Sequence, residues 1–421
     1  MSALLLLAAA LGLLVLRVNL ILILIFVAGA VHLIWGAGAL EYFAQDIWSA
    51  MDREIVLAVP MFILVGSVMS RGTIAKRLVD VMIEITRGIP GGLAVATILS
   101  CAVFSAISGS SIVTMLAVGA VLYPALKQNG YGTHFAIGAL CAGGTLGIVI
   151  PPSIPMILFG IVTESSITDL FKAGLGPGLL LTVAFSVYAC AMNWHLPRGQ
   201  MSLMALARAL WRGIPALMMP LILLGGIYSG FFSPTEAAAV ALLYAAIMES
   251  LIFRELRPSD YHQMAVDAAK LVGTLFPLIA IAVSMNHVLT EERVPHLVVD
   301  FIARHIDSQT GFLLMTNAVL LVMGCFMDTA SAITVAAPLL RTIADTYDVG
   351  VTHLGIIMIL NLEIGILTPP LGLNLIVAMT AFGEKFSTIC LAALPFVAIM
   401  LGCLLLITFY PWIAMGLVGV Y

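Results

Sequence analysis

Four short stretches interrupt long apolar sequence with small polar residues or with a Pro-Pro pattern, and they form two pairs. Ser105-Ala106-Ile107-Ser108-Gly109-Ser110-Ser111 precedes Gly147-Ile148-Val149-Ile150-Pro151-Pro152. Asp328-Thr329-Ala330-Ser331 precedes Gly365-Ile366-Leu367-Thr368-Pro369-Pro370. Between Gly88 and Thr163 the one charged residue is Lys127, so a cation held in the first pair must take neutral oxygens. Hydroxyls and freed carbonyls are hard oxygen donors that suit sodium. In the first pair the candidate ligands are Ser105, Ser108, Gly109 and Ser110, facing Gly147, Ile150 and Pro152. The counterparts in the second are Gly324, Asp328 and Thr329, facing Gly365, Thr368 and Pro370. Glycine and serine at such places also serve close helix packing. What favours a site is that a polar stretch and a Pro-Pro pattern occur together, twice.

Each Pro-Pro pair interrupts a long apolar run. Proline removes a backbone donor and clashes with the preceding turn, so the pair breaks a helix. Inside a bilayer the freed carbonyls need partners, and broken helices persist only where protein or a cavity supplies them. Matched breaks in two halves of a chain mark a transporter's binding site. Half-helix N-termini also attract anions. Gly109, Ser110, Ser111, Ser153, Ser331 and Asn374 are the candidates to hold an anionic substrate between the two tips. Two ionisable residues lie beside the second pair, where a charge costs about 2.5–3.5 kcal/mol or more and points to function. Asp328 either caps the helix that follows it or contributes to the cation site. Glu363 either couples protons or ties a helix in place.

The elements around these residues follow from composition. The chain has 421 residues, 62% hydrophobic and 10% charged, with a mean hydropathy of +1.14. Soluble domains average about 25% charged residues, so this chain lacks the charge to cover a soluble surface and is polytopic in a membrane. No basic tract exists for nucleic acid. All six cysteines lie in apolar runs without CxxC spacing and read as small buried hydrophobes. The first 35 residues lack a basic leader and read as two retained apolar spans around Arg17-Val18-Asn19.

At about 20 residues per span, the apolar runs are 2–16, 19–38, 54–70, 132–163, 173–194, 213–232, 234–253, 268–290, 351–382 and 387–415. The 132–163 and 351–382 runs carry the breaks and read as two half-helices each. Residues 89–127 and 310–344 have polar tips that leave each half too short or interrupted to span, so both read as re-entrant hairpins. Lys and Arg gather in 71–87, 198–212 and 254–257, which fall on one side if 89–127 returns to the side it entered. That side is then cytoplasmic and both termini face outward. Leu78–Glu84 and Leu297–Ala303 read as amphipathic helices along the membrane surface. His134 and His353, at similar offsets before the two breaks, read as interface markers. The shared order of elements, with hairpins entering from opposite sides, is an inverted-topology repeat. The expected fold is an all-α polytopic membrane protein with two re-entrant helical hairpins and two broken helices. Its expected parts are N-terminal scaffold helices in 1–70, a first repeat in 71–194, scaffold and second-repeat spans in 195–290, and a second repeat in 291–421. No GxSxG, HExxH or Walker A sequence is present, so an enzyme is not expected, and driving energy must come from an ion gradient. A re-entrant-loop channel or passive anion pore is the alternative. A channel usually draws symmetry from several subunits, whereas one chain here holds an inverted pair.

Further stretches carry a family resemblance: Pro60–Gly66, Ser108–Ser111, Gly147–Ser153, Phe171-Lys172-Ala173-Gly174 with Pro177-Gly178, Ser233–Ala239, Met327-Asp328-Thr329 and Gly365–Pro370. Over nearly its whole length the chain resembles the large membrane (M) subunit of tripartite ATP-independent periplasmic (TRAP) transporters. The resemblance implies an elevator-type fold of the ion-transporter superfamily, in which a transport domain built from hairpins and broken helices moves against a scaffold. It implies sodium-coupled uptake, with Na+ as coupling ion at two or more sites. By motif the first site is Ser105, Ser108, Gly147, Ile150 and Pro152. The second joins the Gly324–Thr329 tip to Gly365, Thr368 and Pro370. It also implies a carboxylate substrate such as a C4-dicarboxylate or sialic acid, delivered by a periplasmic substrate-binding protein. A small four-helix membrane (Q) subunit, expected here as a separate chain, completes the scaffold. The expected location is the bacterial inner membrane. Arg17-Val18-Asn19 departs from the Gly-Val-Pro expected there.

Overall fold

The computed structural model describes residues 20–34, 40–291 and 308–419, with a few isolated positions outside these stretches. All regular structure among the described residues is helical. Nine helical stretches there are long and apolar enough to cross a membrane. The helices before the first repeat are α1 (Leu20–Ile34), α2 (Leu40–Met51) and α3 (Ala58–Arg71). Next, α4 (Ile74–Thr86) is the expected amphipathic helix. It buries Ile74, Leu78, Val79, Val81 and Met82 and turns Lys76 and Asp80 outward. The expected second surface helix at 297–303, like the span 2–16 and the 17–19 turn, lies outside the described residues.

The first hairpin is α5 (Gly92–Ser108) and α6 (Ser111–Gln128). The first broken helix is α7 (Thr133–Val149) and α8 (Ile154–Thr163). After these come α9 (Ile167–Met192), α10 (Leu203–Tyr228), α11 (Pro234–Ile247) and α12 (Pro258–Glu291). The second hairpin is α13 (Gln309–Phe326) and α14 (Thr329–Thr346), and the second broken helix is α15 (Val351–Gly365) and α16 (Leu373–Phe382). The chain ends in α17 (Phe386–Phe409) and the short α18 (Trp412–Met415). Both Pro-Pro bonds, 151–152 and 369–370, are cis.

Packing relates the two halves. Each hairpin holds the first half of its own broken helix, α5 and α6 against α7, α13 and α14 against α15. The second halves cross over: α8 packs on α14 and α15, and α16 packs on α6 and α7. Polar links sort the loops into two ends. At the basic end Arg71 pairs with Asp267, the Ile74 N–H donates to Glu249, and Lys127 pairs with Glu384. At the opposite end Arg53 pairs with Glu164, Arg341 donates to the Thr163 carbonyl, and Thr235 donates to the Glu54 carbonyl. The second hairpin thus opens from the end opposite the first.

Three expectations differ from the structure. Residues 40–51 form a helix where no span was expected, because Glu41, Gln45 and Asp46 make it amphipathic; it packs on α12. The α10 and α12 helices start ten residues before the apolar runs at 213 and 268, carrying polar turns beyond them. Two hairpin arms, α6 and α13, are long and apolar enough to span by length. What makes them hairpin arms is their packing against the broken helices, and hydropathy does not record packing.

Candidate functional site

The first tip is built by a left-handed glycine. Gly109 sits at φ 61°, a region that costs a side-chain-bearing residue energy. Its N–H donates to the Ser105 carbonyl and its own carbonyl accepts from the Ile154 N–H at 3.3 Å. The tip is therefore tied to the residue just after the first break. Ser153 caps α8, accepting from the Met156 N–H. Ser108 and Thr114 share a hydrogen bond at 2.6 Å across the turn. Ser105 donates to the Cys101 carbonyl at 2.5 Å.

Close approach completes this site. A Cβ at Gly147 would sit 2.5 Å from the Ser110 carbonyl oxygen and 2.6 Å from Thr114 Oγ1. A Cβ at Gly109 would sit 3.1 Å from the Pro152 carbonyl oxygen. Ser108, Gly109, Ser110, Gly147 and Pro152 are thus brought together. Ser105, Ser108, Ser111, Thr114 and Ser153 are all buried. Ile150 lies at the break, packed against Gly178 of α9. Thr114 is a residue the sequence reading missed, as is Gly66, which lets α3 reach the Ser108 carbonyl. Thr114 was findable: it lies one turn beyond Ser111 on the same helix face.

The second pair is assembled differently. Gly324 and Gly365 touch backbone to backbone, so that a Cβ at Gly365 would overlap Gly324. The Asp328 carboxylate caps α14, accepting from the Ser331 N–H at 2.9 Å and the Ser331 hydroxyl at 2.6 Å. Thr329 donates to Glu363 at 3.4 Å, so this buried carboxylate ties the tip to the end of α15; its other oxygen has no partner among the described residues. Thr368 donates to the Ile364 carbonyl within its own helix end. Pro370, in the second break, is exposed, whereas Pro152 is buried.

A side-chain hydrogen bond joins the two pairs. Ser111, at the start of α6, donates to Asn374 Oδ1 at 3.3 Å, and Asn374 lies at the start of α16. Asn374 is fully buried and its amide nitrogen has no partner among the described residues. A buried amide donor without a partner costs free energy, which a ligand oxygen would recover. A second polar chain supports α15: Asn361 donates to Asn317, which donates to Thr408. Of the two histidines read as interface markers, His134 is exposed. His353 is buried and donates to the Ile407 carbonyl, tying α15 to α17.

Comparison with known proteins gives this geometry a family. The family model described as the tripartite ATP-independent periplasmic transporter, DctM component, matches residues 1–413. The chain is 39% identical to the C4-dicarboxylate TRAP transporter large permease protein DctM of Pseudomonas aeruginosa, over 91% of each chain. It is 36% identical to the isethionate TRAP transporter permease protein DctMQ of Oleidesulfovibrio alaskensis, covering 91% of this chain and 61% of that one. It is 32% identical to the ectoine TRAP transporter large permease protein TeaC of Halomonas elongata, over 91% and 90% of the two chains. Among solved structures the YdaH transporter of Alcanivorax borkumensis superposes with a TM-score of 0.67 at 14% identity, over 91% of this chain and 90% of that one, which speaks to fold alone. With paired tips and breaks, a membrane-spanning helical fold and relatives matched over nine-tenths of its length, the chain belongs to the DctM family of large permease components of TRAP transporters.

Proposed function

We propose that this large permease drives sodium-coupled uptake of an organic carboxylate, such as a C4-dicarboxylate or sialic acid, across the bacterial inner membrane. The observation that carries the reading is the Ser111–Asn374 contact, which joins the first tip to the second break beside an unpartnered amide. The residues there suit a carboxylate: Ser110, Ser111, Ser153 and Asn374 offer hydroxyl and amide donors, and Gly109 and Ser331 flank the two tips. The first donor set also suits Na+, since Ser105, Ser108, Gly147, Ile150 and Pro152 bring hydroxyls and carbonyls with no carboxylate. Gly324, Asp328, Thr329, Gly365, Thr368 and Pro370 are the candidates for a second ion. Bound sodium would supply the positive charge that an anion needs in a low-dielectric site.

The protein's own part is to orient these groups and exclude water. Hairpins and broken helices, in 71–194 and 291–421, form the moving unit of an elevator, and 1–70 and 195–290 form the scaffold. A small membrane subunit extends the scaffold, and a periplasmic binding protein delivers the substrate. Relatives bearing names for C4-dicarboxylate, isethionate and ectoine transport support a small polar organic substrate.

The test is uptake of labelled succinate, and separately of labelled sialic acid, into proteoliposomes with the small subunit and the cognate binding protein present. Uptake should require an inward sodium gradient, and Ser108→Leu or Thr368→Leu should abolish it while the protein stays folded. Uptake unchanged without the gradient overturns the coupling. A passive pore would instead conduct without the binding protein.

A further inference from the structure

A charged groove at the basic end takes no part in the site described above. It runs between α4 and the first turns of α10, with a volume of about 810 Å³. Lys76, Arg77, Arg87, Arg208 and Arg212 line it with Asp80 and Glu84, leaving it three charges positive. Two of the five cations have structural tasks. Arg87 pairs with Glu84 at 2.7 Å. The Arg77 guanidinium stacks on Phe253 at 3.8 Å and donates to the Arg212 carbonyl. Among the described residues Lys76, Arg208 and Arg212 have no carboxylate within ion-pair distance, and all three are exposed.

The surroundings identify the kind of anion. From the groove an apolar stripe runs along α10 at helical spacing, Trp211, Ile214, Met218 and Leu221, with Trp211 78% exposed and Leu221 63% exposed. The ten steps from Trp211 to Leu221 rise about 15 Å, which matches half of a hydrocarbon core about 30 Å thick. Trp194, also exposed, lies at the same end with Arg198 over its ring. Exposed tryptophans beside basic residues mark the headgroup level of a bilayer. A free phosphate would need only the cations. The adjoining stripe, one leaflet deep, fits a molecule with a phosphate at one end and acyl chains at the other.

We propose that this groove binds an anionic phospholipid of the cytoplasmic leaflet. Lys76, Arg208 and Arg212 engage its phosphate, and its acyl chains lie along Trp211–Leu221. Basic pockets beside membrane-spanning helices hold anionic headgroups by such charge complementarity. The occupant would bridge the surface helix α4, which packs on hairpin arm α5, to the spanning helix α10.

The test is native mass spectrometry of the full chain released from nanodiscs, titrated with phosphatidylglycerol or phosphatidylcholine. Phosphatidylglycerol should bind about tenfold more tightly, and the triple variant Lys76→Gln, Arg208→Gln, Arg212→Gln should lose that preference. All three side chains are exposed, so the variant should fold, and an unchanged melting temperature in phosphatidylcholine nanodiscs checks this. Equal binding of the two lipids overturns the proposal, as does a preference that survives in a folded triple variant. Displacement of phosphatidylglycerol by millimolar inorganic phosphate assigns the groove to a free anion. Its loss on adding the small membrane subunit assigns the stripe to a protein contact. Either result also overturns the proposal.

Discussion

The two copies of the tip-and-break pattern share their order and differ in closure. In the first, the hairpin arms α5 and α6 pack along each other and both lie on α7. The tip is hydrogen-bonded to the residue after the break, and Pro151 and Pro152 are buried. In the second, α13 and α14 touch each other sparsely, each held mainly by other helices. Among the described residues no hydrogen bond joins its tip to the residues after its break, and Pro369 and Pro370 are exposed. Similar local chemistry therefore does not set access. The first copy is capped by its own glycine turn, whereas the second is tied only as far as Glu363.

The largest expected effect tests what the copies have in common. Gly147→Val or Gly365→Val should abolish uptake in either half, because both glycines are closed over by backbone. Overpacking of this kind costs about 1–3 kcal/mol or more. Uptake and melting temperature together check it; normal transport by either variant would mean that the close approach is dispensable. The next effect separates the copies. In a background without native cysteines, a membrane-impermeant thiol reagent should label Thr368→Cys readily and Ser108→Cys hardly at all. Equal labelling would erase the distinction between an open and a capped break. A smaller effect is expected where the halves meet. Asn374→Ala should raise the KM for the carboxylate several-fold and lower stability by about 1 kcal/mol, the worth of one hydrogen bond. An unchanged KM would remove Asn374 from the substrate site.

The smallest effect concerns the Arg53–Glu164 pair. The Arg53 guanidinium holds the Glu164 carboxyl below its ordinary value of about 4.3, the first cause being their hydrogen bond. A lowered carboxylate pKa adds stability above the unfolded value, and that stability is lost as pH falls through the lowered one. The pair therefore persists at neutral pH and fails only in acid. It is exposed, so Glu164→Gln should move the melting temperature at pH 7 by little, and the difference from wild type should vanish in acid. A large shift at pH 7 would show that the pair carries more of the fold than its exposure implies.

How far the fold was legible depended on range. The breaks, the two tips and the surface helix around 78–84 follow from proline, small polar residues and helical periodicity, which are local signals, whereas α6 and α13 are long and apolar enough to span and only their packing makes them hairpin arms. Asp328 as a cap was also readable, because capping reaches only three residues ahead. The α2 helix was not, since Glu41, Gln45 and Asp46 interleave with its apolar residues and dilute any hydropathy window. Nor were the partners of Asn361, because Asn317 and Thr408 are brought to it only by packing. The burial of His353 was hidden for the same reason: its acceptor, the Ile407 carbonyl, lies 54 residues away. At the candidate site, the tip residues were legible while the meeting of Ser111 with Asn374, 263 residues apart, was not.

The crossing of the half-helices has a mechanical consequence. Since α8 rests on the second hairpin and α16 on the first, neither copy owns all of its own walls. The arrangement is a clasp: a shift that frees one hairpin removes a support from the other. Damage to one copy should then register at its twin.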